Sequence, residues 1–86
     1  MSDLLSLVQR AQPFLEYFQP VNPRSGLAAQ IKLADPSGFQ PDQLAEFAST
    51  LHDLLLDVLS SVCNQEAQDG VRQVCEEFDA ALYTLS

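Results

Sequence analysis

All five prolines of this chain, Pro13, Pro20, Pro23, Pro36 and Pro41, stand at or before position 41. From Asp42 onward no residue lacks the backbone N–H that a helix interior requires. Pro41 is a favoured first helical residue, and behind it Leu44, Phe47, Ala48, Leu51, Leu54, Leu55, Val58, Leu59 and Val62 recur at three- and four-residue steps. This spacing predicts a long amphipathic helix over 41–64. The polar run Asn64-Gln65-Glu66-Ala67-Gln68, followed by Asp69-Gly70, predicts a turn. A last helix over 70–84 follows, burying Val71, Val74, Cys75, Phe78, Ala81, Leu82 and Leu85, with Arg72, Glu76, Asp79 and Tyr83 facing outward.

The proline-bearing half reads as shorter pieces. Leu4, Val8, Ala11, Leu15 and Phe18 form a stripe, flanked by Leu7 and Phe14, that predicts a first helix over 3–18 with Ser2 as its N-cap. At about 100° per residue Pro13 falls opposite that stripe, which predicts a kink at Gln12 or Pro13 on the solvent side. Asn22-Pro23-Arg24-Ser25-Gly26 and Asp35-Pro36-Ser37-Gly38 both read as type I turns and fence off residues 27–34. That segment fits either two helical turns or a strand, and its three alanines favour a short helix. The expected fold is one all-α domain over 1–86. It is a small antiparallel bundle of three main helices, about 3–18, 41–64 and 70–84, plus a short helix or irregular segment at 27–34. With a turn centred near residue 69, Cys63 should face Cys75, Leu59 should meet Phe78 or Asp79, and Leu56 should meet Leu82.

Charge narrows the function classes. The formal charge is −8, yet residues 1–40 sum to zero, so the whole excess lies in 41–86, where nine acids face Arg72 alone. A surface of that sign repels nucleic-acid phosphates, so direct DNA or RNA binding is not expected and a basic protein surface is the natural partner. No apolar run approaches the ~18 residues of a membrane span, and Met1-Ser2-Asp3 lacks the early positive charge of a secretion signal. Two cysteines are too few for a secreted disulfide framework, which points to a reducing, cytoplasmic setting. A chain this short buries only about 60–65% of its unfolded surface, so association with a second copy is an expectation too.

On the long helix, Asp42, Glu46, Asp53 and Asp57 fall within roughly a 60° arc about 22 Å long. Such a row is either the solvated face of an amphipathic helix or a docking strip for Lys and Arg groups. It could also imitate a row of phosphates, a reading that 12 acids in 86 residues support thinly. Along another edge lie Ala48, His52, Leu56, Leu59 and Cys63. Leu56 stands well round from Leu51 and Leu55, so segment 27–34, a second copy or another protein must cover it.

His52 is the single histidine and cannot supply half of a two-histidine metal site. Cys63 is eleven residues further on, roughly 16 Å by helical rise, so no Cys-His nucleophile pair is expected. Cys63 and Cys75 read as two buried thiols, with a disulfide as the alternative. Glu76, Glu77 and Asp79 place negative charge near the last helix's C-terminal half, where it opposes the helix dipole. No phosphate loop, dinucleotide fingerprint, nucleophile elbow, zinc motif or calcium loop is present. No catalytic, cofactor-binding or metal-binding residues are therefore expected.

The expected function is non-catalytic: an acidic helical protein of inhibitor, immunity or adaptor type. It would mask or bridge a partner surface through Asp42, Glu46, Asp53, Asp57, His52, Leu56 and Cys63, in company with self-association. The alternatives are a structural homo-oligomer or a secretion-type chaperone and, further off, a nucleic-acid mimic. Small acidic helical proteins of bacteria and phages supply this comparison by size and charge alone.

Overall fold

Pro13 sets the shape of the first half. The computed structural model describes residues 4–85, except the side chains of 84 and 85, so the predicted cap at Ser2 and the burial of Leu85 lie outside the described residues. Helix α1 runs Leu4–Ala11, and the chain then tightens into a 3-10 helix over Gln12–Tyr17. The missing proline N–H and the crowding of its ring against the preceding turn end regular α geometry there, and the tighter winding carries the chain past it. The predicted continuous helix over 3–18 is thereby corrected to two pieces, with the break at the predicted place. Pro13 is exposed, while Val8, Ala11, Leu15 and Phe18 are buried.

Helix α2 spans Ser25–Leu33, so the segment between the two proline turns is helical. The turn before it is closed by the Asn22 carbonyl accepting from Ser25 N–H at 2.9 Å, and the Asn22 side chain accepts from Arg24 N–H at 2.8 Å. At the other end, Gln12 supplies what the sequence does not advertise. Its buried side-chain amide donates to the carbonyls of Ile31 at 2.7 Å and Ala34 at 2.9 Å. The Ile31 carbonyl otherwise accepts only a long 3.4 Å bond from Ala34 N–H at the C-cap, so Gln12 reinforces a helix end whose last carbonyls are weakly paired. A single 3-10 turn, Pro36–Gly38, follows, with the Asp35 carboxylate accepting from both the backbone N–H and the hydroxyl of Ser37.

Helix α3 covers Pro41–Ser61 and helix α4 covers Gln65–Leu85. The Gln43 side chain accepts from Gln40 N–H at 3.0 Å at the start of α3. Val62 turns to extended backbone at its end. Asn64 caps α4: its side-chain oxygen accepts from Ala67 N–H at 3.2 Å, and its carbonyl accepts from Gln68 N–H.

The predicted turn at Asp69-Gly70 is therefore corrected. Gly70 lies inside α4, and the reversal occupies Val62–Asn64. A Cβ on Gly70 would stand 2.8 Å and 2.9 Å from Cε1 and Cζ of Phe14, so the glycine lets the 3-10 segment's ring lie against α4. Moving the reversal shifts the α3–α4 register by about two turns. His52 stacks on Phe78, with ring centroids 5.8 Å apart, where the expected register put residue 60. Leu59 accordingly does not face Phe78. Cys63 and Cys75 do not face each other either: Cys63 is exposed in the connection, Cys75 is buried on α4, and both are free thiols.

The described residues form an all-α bundle. Its core is built from the predicted stripes: Val8 and Ala11 of α1, Leu51, Leu54, Leu55 and Val58 of α3, and Val71 and Phe78 of α4 are all fully buried.

Candidate functional site

The outward side of α3 combines charge with uncovered apolar surface on both of its flanks. Helical spacing puts Asp42, Glu46 and Asp53 on one line, and all three are exposed. Asp57, expected to extend that line, is half-buried and accepts from Arg24 Nη1 at 3.0 Å. The pair ties the start of α2 to α3, so Asp57 serves the fold and the open acidic row is shorter than the sequence indicates.

The two flanks of the row differ. On one flank α2 packs beside α3 and leaves an open cleft of about 580 Å³. Leu27 and Ile31 of α2, Phe39 of the linking segment and Phe47 of α3 form its apolar walls, and Glu46 and Thr50 belong to its lining as well. Phe39 and Phe47 meet edge to face with centroids 5.3 Å apart, a favoured aromatic geometry that fixes the link against α3. On the other flank Leu56 is 45% exposed. Segment 27–34, offered by the sequence as one possible cover for Leu56, lies on the cleft side instead, because Arg24, Leu27 and Ile31 all meet the opposite edge of α3.

His52 lies between α3 and α4, mostly covered by Phe78. Its Nε2 is buried without a hydrogen-bond partner, and the Asp79 carboxylate stands 3.5 Å away. Of the other residues on that edge, Ala48 is fully buried, Leu59 is half-buried and Cys63 is open to solvent. Asp42, Glu46 and Asp53 thus share a face with Leu56 beside it, whereas Asp57, His52 and Cys63 are held apart from it by a salt link, by burial and by position in the α3–α4 connection.

Cys75 is a poor nucleophile. Burial pushes its thiol up to about 11, with the Asp79 charge adding to the shift, and a buried thiol held protonated at neutral pH is inert. Glu77 is engaged by Arg10 across the α1–α4 contact, while Glu76 is exposed on the outer face of α4. Among the described residues no group of three or more His, Cys, Asp and Glu side chains is placed to hold a metal ion. Among the same residues no helix is long and apolar enough to cross a membrane.

The cleft escaped the sequence reading. Its one legible sign was the pair Phe39 and Phe47 on either side of the Pro41 helix start, since an aromatic in a linking segment needs something to pack on. Comparison with family models, curated proteins and solved structures finds no match to this chain.

Proposed function

We propose that the protein is a non-catalytic binding protein of inhibitor or adaptor type whose partner presents a basic surface to α3. The observation that carries this reading is the exposed row Asp42, Glu46 and Asp53, bordered by uncovered apolar groups on either side. Charge steers the encounter and sets its salt dependence, and apolar contacts beside it supply the area that holds the complex. The overall charge of −8 adds a long-range field of the same sign.

Self-association through this row would place like charges opposite one another in a two-fold contact, because an isologous interface matches a patch with itself. A homo-oligomer would have to use the Leu56 flank instead, where the 45% exposed side chain is the favouring observation.

The test is retention of proteins from a native lysate on the immobilised chain, compared with Asp42→Lys/Asp53→Lys and with Leu56→Asp. Retained proteins are expected to be basic, to elute with salt and to be lost from the charge-reversed column. Equal retention by the native and charge-reversed columns would overturn the reading. Asp57 is left unchanged because reversing it would break its pair with Arg24. Sedimentation of the native chain and of Leu56→Asp separates the homo-oligomer: conversion of a dimer to monomers by Leu56→Asp assigns that flank to self-association.

A further inference from the structure

Resting on the basic-partner reading, we propose that the cleft between α2 and the first half of α3 is the specificity pocket of the docking face. It seats a large apolar side chain from an amphipathic helix of a basic protein, whose Lys and Arg residues lie along Asp42, Glu46 and Asp53. The cleft, about 580 Å³ and wide open to solvent, has room for a large side chain presented from outside. Gln43, Glu46, Ser49 and Thr50 make its α3 side polar, while Leu27, Ile31, Phe39 and Phe47 give it an apolar wall, with Leu27 and Phe39 partly uncovered and Phe47 half-buried. Such surface gains most from an aliphatic or aromatic insert.

Charge complementarity selects the occupant. Glu46 is both a lining residue of the cleft and the middle member of the acidic row, so an apolar anchor seated in the cleft brings its own neighbours onto that row. From Asp42 to Asp53 the row covers about 16 Å of helix, or three turns. A partner helix with an apolar stripe and cations one turn to its side matches both features at once, the helix-in-groove mode of recognition. Neutral apolar molecules match the walls and ignore the row. A second copy of this chain brings a net charge of −8 to a face that is already negative.

The experiment uses the intact protein and three fluorescent peptides of about 18 residues, five helical turns. One has leucine and phenylalanine at helical i, i+3, i+4, i+7 spacing with lysines elsewhere. The second scrambles that order at fixed composition, and the third replaces every lysine with glutamine. Binding is read by fluorescence polarisation, and the contacted residues by backbone amide shifts. The patterned lysine peptide is expected to bind at least about tenfold tighter than either other peptide and to shift the amides of Leu27, Phe39 and Phe47. Leu27→Ser and Glu46→Lys, both at exposed residues, should each weaken it by a similar factor, while Glu76→Lys on the outer face of α4 should not. Leu27→Ser tests the pocket wall and Glu46→Lys the row beside it, both at exposed positions, and the shift map needs no variant.

Equal binding of patterned and scrambled peptides, with Leu27→Ser harmless and Glu46→Lys still harmful, would overturn the pocket while leaving the basic-partner reading intact. Equal binding of the glutamine peptide would overturn the charged half of the proposal. Absence of binding by every lysine peptide at low salt would overturn both the pocket and the reading on which it rests. Dimerisation of the native chain that Leu27→Ser abolishes would replace the proposed partner with a second copy.

Discussion

At Gly70 two local effects oppose each other. Alanine is favoured over glycine within a helix by about 1 kcal/mol, yet here its methyl group would meet the Phe14 ring at less than van der Waals distance. The ring is half-buried against the core and can yield only by giving up contacts there. Gly70→Ala is expected to lower stability by about 1 kcal/mol in the native background, and to raise it by about 1 kcal/mol once Phe14→Ala has cleared the space. Denaturant melts of the four proteins in that cycle measure the sign change; additive effects would disprove the contact. Cys75 gives a pH-dependent counterpart. Its thiol is raised from 9.0 to about 11 by burial. The unfolded chain therefore releases the proton first as pH rises, and stability is full below about pH 9 and is lost as pH approaches 11. The loss is on the order of 2 kcal/mol. Cys75→Val should flatten that part of the stability–pH curve relative to the native chain, whose Tyr and Lys groups titrate in both.

Among the elements, α3 and α4 were legible because burial imposes a 3.6-residue period on apolar residues, and every predicted core position of α3 from Ala48 to Val58 is buried. The start of α4 was misread for a physical reason. Glycine's low helix propensity points to a turn, whereas a packing contact from Phe14, 56 positions away in the chain, fixes glycine inside the helix. The better signal was Asn64 ahead of Gln65-Glu66-Ala67, since asparagine is a strong N-cap. The site was half-legible. The acidic row follows from spacing alone, but the loss of Asp57 to Arg24 and the opening of a cleft beside Phe47 depend on where α2 packs, which no local pattern encodes. The position of α2 in turn leans on Gln12. Gln12→Leu, which keeps the volume and removes both donors, is expected to cost about 1–3 kcal/mol by leaving the Ile31 and Ala34 carbonyls short of partners. Amide exchange should then speed up in α2 before it does in α3 or α4; uniform exchange across all helices would refute a local clamp.

For the molecule as a whole, charge and cohesion oppose each other. The ion pairs Arg10–Glu77 and Arg72–Asp69 lie at the surface and Arg24–Asp57 is half-exposed, so solvent screens all three, while the excess of −8 repels throughout. Added salt should therefore stabilise the fold. Raising ionic strength from about 0.01 M to 0.15 M shortens the screening length from roughly 30 Å to 8 Å. Each 1 kcal/mol of repulsion so relieved lifts the melting temperature by about 4–8 °C in a domain of this size. A fall in melting temperature over that range would mean that the attractive pairs outweigh the repulsion. The same conditions would weaken the proposed complex with a basic partner, so its affinity and the free chain's stability should respond to salt with opposite sign. The reversal between α3 and α4 has a practical corollary. Cys63 lies open there while Cys75 is sealed inside, and about 16 Å of helix separates Thr50, in the cleft, from Ser61, where α3 ends. The native chain thus offers a single addressable thiol for a dye or a surface tether, set about 12 Å of helix beyond Asp53, the last member of the acidic row.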